Sequence, residues 1–113
     1  MPAKQHVLFI CSANRMRSPT AENVFGDWPG IEVASAGLNR NAEVEVTPEL
    51  LEWADVIFVM EKTHRSRLTK KFRPSLNGQR IICVNIPDEF MFMDPELIEI
   101  LRHRVPRHLP PVL

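Results

Sequence analysis

The stretch Val7-Leu8-Phe9-Ile10-Cys11-Ser12-Ala13-Asn14-Arg15-Met16-Arg17-Ser18-Pro19-Thr20-Ala21-Glu22 decides how the rest of the chain is read. The run from His6 to Ile10, apolar after its first residue, is a strand apolar enough to lie inside a sheet. A tight polar loop follows from Cys11. Ser18-Pro19 then announces a helix, with serine as the cap and proline at the first helical position. Ala21, Val24, Phe25 and Trp28 come at i, i+3, i+4 and i+7, the spacing of one buried helix face, which assigns Trp28 to the core.

Outward from this unit, strand and helix signals keep alternating, without any internal repeat. Pro29-Gly30 ends the first helix, and Ile31 to Ala34 is a second strand before a turn at Ser35-Ala36-Gly37. Thr47 caps a helix that begins at Pro48 and ends near Asp55. Val56 to Met60, apolar throughout, is a third strand covered on both faces. Lys62 to about Phe72 is a basic helix with His64, Leu68 and Phe72 on one face, where His64 reads as a packing residue. Pro74 and Asn77-Gly78 break the chain, Arg80 to Val84 is a fourth strand, and Ile86 to Met93 is a loop. The last helix starts at Asp94-Pro95-Glu96 with Leu97, Ile98, Leu101 and Val105 in a stripe, and Pro106, Pro110 and Pro111 close it. The tail from about residue 109 reads as irregular. The pattern specifies an α/β fold.

Composition narrows the function classes. With 113 residues, 14 Lys+Arg against 14 Asp+Glu, 44% hydrophobic and 25% charged, residues 1–113 form one small neutral domain with no room for a second core. The apolar runs fall far short of the roughly 18 residues of a membrane span, and the N-terminus lacks a secretory pattern. Cys11 and Cys83 are too few for a disulfide framework, so a cytoplasmic protein is expected. Zero net charge gives no general case for a nucleic-acid or membrane partner. It conceals a segregation, however: residues 43–61 carry six acids and no Lys or Arg, and residues 62–80 seven cations and no acid. Such runs usually form a solvated face; steering of an anionic substrate is the sharper alternative. Cys83, between Ile82 and Val84, reads as an inert core thiol. The two cysteines and four scattered histidines show no ligand spacing, so neither a metal nor another cofactor is expected.

The loop from Cys11 to Ser18 carries the chemistry. It lies at the carboxyl end of a strand, where ligands bind in open α/β sheets. Its successive backbone N–H groups can curl around an anion, and the next helix adds unpaired donors and the positive end of its dipole. Ser12, Ala13, Asn14, Arg15, Met16, Arg17 and Ser18 are therefore candidate phosphate-binding residues. Cys11 opens the cradle, where the same donors favour a nucleophilic thiolate. Arg17 offers a planar fork that fits two phosphoryl oxygens. Ser18 can donate its hydroxyl to the sulfur, and Asn14 tolerates left-handed φ.

Val7 to Glu22 resembles the phosphate-binding loop and following helix of the low-molecular-weight protein tyrosine phosphatase family. Ala34-Ser35-Ala36-Gly37 is similar to that family's Ser-Ala-Gly turn, and Ala54 to Leu68, including Met60 and His64, to its central strand and following helix. The resemblance implies a three-layer sandwich, with a four-stranded parallel sheet in the order 2-1-3-4 and helices on both faces. It also implies metal-free hydrolysis of a phosphorylated protein or small phosphate monoester through a cysteinyl-phosphate, with Cys11 and Arg17 catalytic. The family's acid lies in a loop after the last strand. Asp88 in Ile86-Pro87-Asp88-Glu89-Phe90 matches by place, while Asp94-Pro95 matches the family's dipeptide but has an evident capping role. Phe90 could wall the pocket or anchor its loop.

Four departures from the family pattern bear on specificity. Met16 stands where a second cysteine is usual, Arg15 adds a cation at the pocket rim, Ala13 replaces a glycine, and the segment between Gly37 and Thr47 is short. Two other classes compete with the phosphatase. A phosphoryl-binding module without turnover would keep the loop. A thiol-dependent arsenate reductase would need a resolving cysteine, and Cys83 would sit two strand spacings from Cys11, roughly 10 Å, beyond disulfide reach.

Overall fold

The computed structural model describes residues 4–112. In chain order the elements are β1 (Gln5–Cys11), α1 (Arg17–Phe25), β2 (Ile31–Gly37), α2 (Pro48–Trp53), β3 (Val56–Val59), α3 (Lys62–Phe72), β4 (Arg80–Cys83) and α4 (Pro95–Arg104). All strand pairs are parallel and the order is β2-β1-β3-β4. This is the expected three-layer architecture.

Strand alternation sorts the core into two layers. Val7, Phe9, Val56 and Phe58 face α1 and α4, where they meet Ala21, Phe25, Leu97 and Leu101. Phe9 stacks on both Phe25 and Phe58, with centroids 5.9 and 5.2 Å apart. Leu8, Ile10, Ile57 and Val59 face α2 and α3, where they meet Leu51 and Leu68. Filling both faces requires the strands to be apolar throughout, and β3 is fully buried.

Local signals set most boundaries. Thr47 caps α2 by accepting from the Leu50 N–H at 3.2 Å, and Asp94 caps α4 by accepting from the Glu96 N–H at 2.9 Å. The basic helix α3 occupies Lys62–Phe72 as read, with His64 and Leu68 buried.

Several expectations are corrected. Met16, not Ser18, takes the N-cap position of α1; its thioether makes no cap bond, and the Ser18 hydroxyl lies in the cysteine loop instead. Helix α1 stops at Phe25, before Gly26 and ahead of Pro29-Gly30, yet Trp28 still packs edge-on against Phe25. Ser35-Ala36-Gly37 is the end of β2, paired with Phe9-Ile10-Cys11, and not a turn. Ile98 is only half-buried, while Ile100 packs on the core. Cys83 is half-exposed because β4 is an edge strand, and its thiol donates to Asn85 Oδ1 at 3.3 Å. Pro106–His108 form a 3-10 turn where helical structure was expected to close, and the irregular segment after it still buries Leu109 in the core. No helix among the described residues is long and apolar enough to cross a membrane.

Candidate active site

Strand β1 ends at Cys11 and delivers the chain into the loop at the carboxyl edge of the sheet. The loop turns at Asn14, whose φ of 55° lies in the left-handed region that asparagine tolerates. This turn brings the Asn14 N–H to 3.3 Å from Cys11 Sγ, and the first turn of α1 brings Ser18 Oγ to 3.0 Å from it. Cys11 Sγ thus has two donors within reach on the floor of a cleft of about 210 Å³, lined by Cys11, Ala13, Arg15, Met16, Arg17 and Asp88.

A chain of hydrogen bonds converges on the Ser18 hydroxyl. The Ser35 hydroxyl donates to Glu22 Oε1, so its oxygen is free to accept from Asn14 Nδ2 at 2.9 Å. The same amide donates to Ser18 Oγ at 2.9 Å. Ser18 Oγ, with its one proton, lies 3.0 Å from the sulfur and 3.4 Å from the Ala36 carbonyl oxygen. Toward a Cys11 thiolate the hydroxyl donates to Sγ; toward a thiol it accepts from the sulfur and donates to the Ala36 carbonyl.

The far end of the loop is held by α3. Arg17 is 2% exposed, and its Nη1 donates at 2.7 Å to both Glu61 Oε2 and the Ile86 carbonyl. Arg17 Nε stands 3.8 Å from Asp88 Oδ1, and Asp88 is 68% exposed. The near end is held from the same helix. His64 Nδ1 accepts from the Glu61 N–H at 3.0 Å, and its Nε2 is 2.9 Å from Ser12 Oγ. Burial, assisted by the Arg17 charge and opposed by Glu61, lowers the His64 pKa to about 4. The neutral ring, accepting at Nδ1, therefore carries its proton on Nε2 and donates to Ser12. His64 is more than a packing residue: it pins the cysteine loop.

A third brace comes from the short segment after β2. The N–H groups of Leu38, Asn39 and Glu43 donate to the carbonyls of Cys11, Ser12 and Ala13 at 3.1, 2.9 and 3.0 Å. Gly37 makes this approach possible, because a Cβ there would lie 2.5 Å from the Ser12 carbonyl oxygen and 2.9 Å from the Asn14 nitrogen. At the rim, exposed Arg15 Nε lies 3.4 Å from Glu43 Oε1.

Of the residues singled out in the sequence, Cys11, Ala13, Arg15, Met16, Arg17 and Asp88 line one cleft, while Asn14 and Ser18 brace its sulfur and Ser12 faces His64. Asp94 is occupied as the cap of α4, and half-buried Phe90 packs on the core. Sequence reading missed Glu61, Glu22 and Ser35. An acid opening a basic helix three residues before a histidine is a capping-box signal that could have found Glu61. Cys11 and Cys83 are both free, and β3 separates their strands. No three His, Cys, Asp or Glu side chains among the described residues are grouped to hold a metal.

No curated protein sequence matches the chain significantly. Among solved structures, the tyrosine phosphatase Wzb from Escherichia coli K30 in complex with phosphate matches with a TM-score of 0.74 at 20% identity, covering 93% of this chain and 96% of its own. Wzb from Vibrio vulnificus in complex with benzylphosphonate matches at 0.68 and 22% identity, over 88% and 91% of the two chains. The YwlE arginine phosphatase from Geobacillus stearothermophilus matches at 0.65 and 19%, over 92% and 94%. At these identities the likeness is one of fold. The sequence profile named low molecular weight phosphotyrosine protein phosphatase matches residues 6–73, from β1 through α3 and so across the whole cysteine loop. Since that match takes in more than half of the chain, the protein belongs to the low molecular weight phosphotyrosine protein phosphatase family.

Proposed function

We propose that the protein is a cysteine-dependent phosphate monoester hydrolase of the protein tyrosine phosphatase type, in which Cys11, Arg17 and Asp88 are catalytic. The observation that carries this reading is a sulfur with two donors at 3.0 and 3.3 Å, in a cleft that also contains Arg17 and Asp88. The Cys11 thiolate attacks phosphorus in line with the leaving oxygen. The loop N–H groups and Arg17 stabilise charge on the equatorial oxygens. Asp88 transfers its proton to the leaving oxygen, and the alcohol departs from a cysteinyl-phosphate. Water then attacks the phosphorus, gives a proton to Asp88, and the Cys11 thiolate leaves with the Ser18 hydroxyl donating to it. Asp88 is favoured over Asp94 because the Asp94 carboxylate already accepts the Glu96 N–H. The similar structures include both a tyrosine and an arginine phosphatase, and phosphoryl transfer to water is common to the two activities.

Hydrolysis of p-nitrophenyl phosphate, metal-free from pH 5 to 8, tests it. Wild-type turnover should vanish in Cys11→Ser. Asp88→Ala should lose roughly two to four powers of ten in kcat, the usual value of a positioned acid–base group. Asp94→Ala should instead lower stability by about 1 kcal/mol with kcat retained. Phosphate binding with no turnover above the Cys11→Ser background would replace the enzyme with a phosphoryl-binding module.

A further inference from the structure

We infer that Arg15 selects substrates in which the phosphoryl group has a second anionic group beside it. The inference rests on the phosphatase reading of the same cleft. None of the six residues that line the cleft is aromatic, so nothing in the lining offers a stacking surface to an aryl leaving group. What the lining offers beyond Arg17 is a second guanidinium, and the two cations have opposite situations. Arg17 is buried and anchored by two acceptors at 2.7 Å, whereas Arg15 is 52% exposed.

The only carboxylate paired with Arg15 among the described residues is Glu43, through a single contact at 3.4 Å from Nε. Glu43 itself is 64% exposed, but its backbone is fixed to the loop through the Ala13 carbonyl. The chain thus stations its own carboxylate at the position a substrate's second anion would take. An exposed pair with this geometry is weak and readily exchanged. An incoming carboxylate or phosphate can take the guanidinium by a two-toothed contact, which the Nε contact to Glu43 lacks. The shared chemistry is a phosphate ester with a carboxylate or further phosphate within one arginine's reach. Its source is either an acidic phosphopeptide or a small phosphorylated acid.

Equilibrium binding to the Cys11→Ser protein tests this without requiring turnover. One arm compares phenyl phosphate with 3-carboxyphenyl phosphate. The other compares two phosphotyrosine peptides that differ only in flanking Glu or Gln. In at least one arm the anionic member should bind about fivefold more tightly at low salt. The arm that shows the preference identifies the source. The preference should disappear in Arg15→Gln, grow in Glu43→Gln and collapse at 1 M salt, where the screening length is about 3 Å. Equal affinities within both pairs, or a preference that survives Arg15→Gln, would overturn the inference while leaving the phosphatase reading intact. Failure of all four compounds to bind would remove both.

Discussion

His64 joins burial to chemistry in one side chain. Its pKa, lowered from 6.5 to about 4, means that the folded protein keeps the ring neutral over a range where the unfolded chain protonates it. The linkage has a definite sign. Above pH 6.5 both states are neutral and nothing is lost; between pH 6.5 and 4 the unfolded state binds the extra proton, so stability falls as pH falls. The loss amounts to on the order of 1–3 kcal/mol across that window. Urea midpoints at pH 7 and pH 5.5 should show it in the wild type, and His64→Asn should flatten the difference. An equal pH dependence in the variant would assign the titration to other groups. In the folded protein protonation waits until about pH 4, where a proton on Nδ1 would oppose the Glu61 N–H and break the bond between the ring and its N-cap residue.

At the scale of elements, the first turn of α3 and the end of β2 shape the loop from two sides. Glu61 gives its carboxylate to Arg17 and its backbone N–H to His64, so one N-cap residue reaches both ends of the loop. Glu61→Gln removes the charge that faces a buried guanidinium. It should cost about 1–3 kcal/mol of stability and weaken inorganic phosphate binding, measured by thermal unfolding with and without phosphate. Gly37→Ala is expected to be as damaging for a different reason. Its new Cβ meets backbone atoms of Ser12 and Asn14, which cannot rotate away, so overpacking of about 1–3 kcal/mol should come with reduced kcat/KM. Unchanged turnover in a folded Gly37→Ala protein would show that the loop tolerates displacement. These two elements also mark the limit of what the sequence discloses. Thr47, Pro48 and Asp94 were legible because a cap acts within three residues of itself. The strand order came from a family likeness, not from local pattern. Glu22 and Ser35 were not legible as site residues, because their partners are 13 and 21 positions away, and the capping-box spacing that marks Glu61 says nothing of Arg17, 44 positions away. Ser18 was read both as the cap of α1 and as a partner of the sulfur, and only the second contact forms.

Across the whole molecule, the C-terminal segment returns to pack beside α1. The Trp28 indole N–H donates to the Pro110 carbonyl at 2.9 Å, and Leu109 is buried in the layer shared by α1 and α4. Ending the chain after His108 should therefore cost about 2–4 kcal/mol, from one buried leucine and one orphaned indole donor. A lower Tm with red-shifted tryptophan emission is the expected signature, and an unchanged Tm would mean that the tail merely rests on the core. The loop Ile86–Met93 is secured in a similar way, by the Met93 N–H donating to Thr20 Oγ1 at 2.9 Å and by Arg104 Nη1 donating to the carbonyls of Val84 and Asn85 just before it. The anchoring of Arg17 has a further consequence for the growing polypeptide. Its two acceptors belong to residues 61 and 86, so a ribosome exposes the cysteine long before it exposes what holds the arginine. A nascent chain halted before residue 86 has its thiol but lacks one of the two acceptors that anchor Arg17, which makes the full bracing of the cysteine loop one of the last properties that synthesis confers.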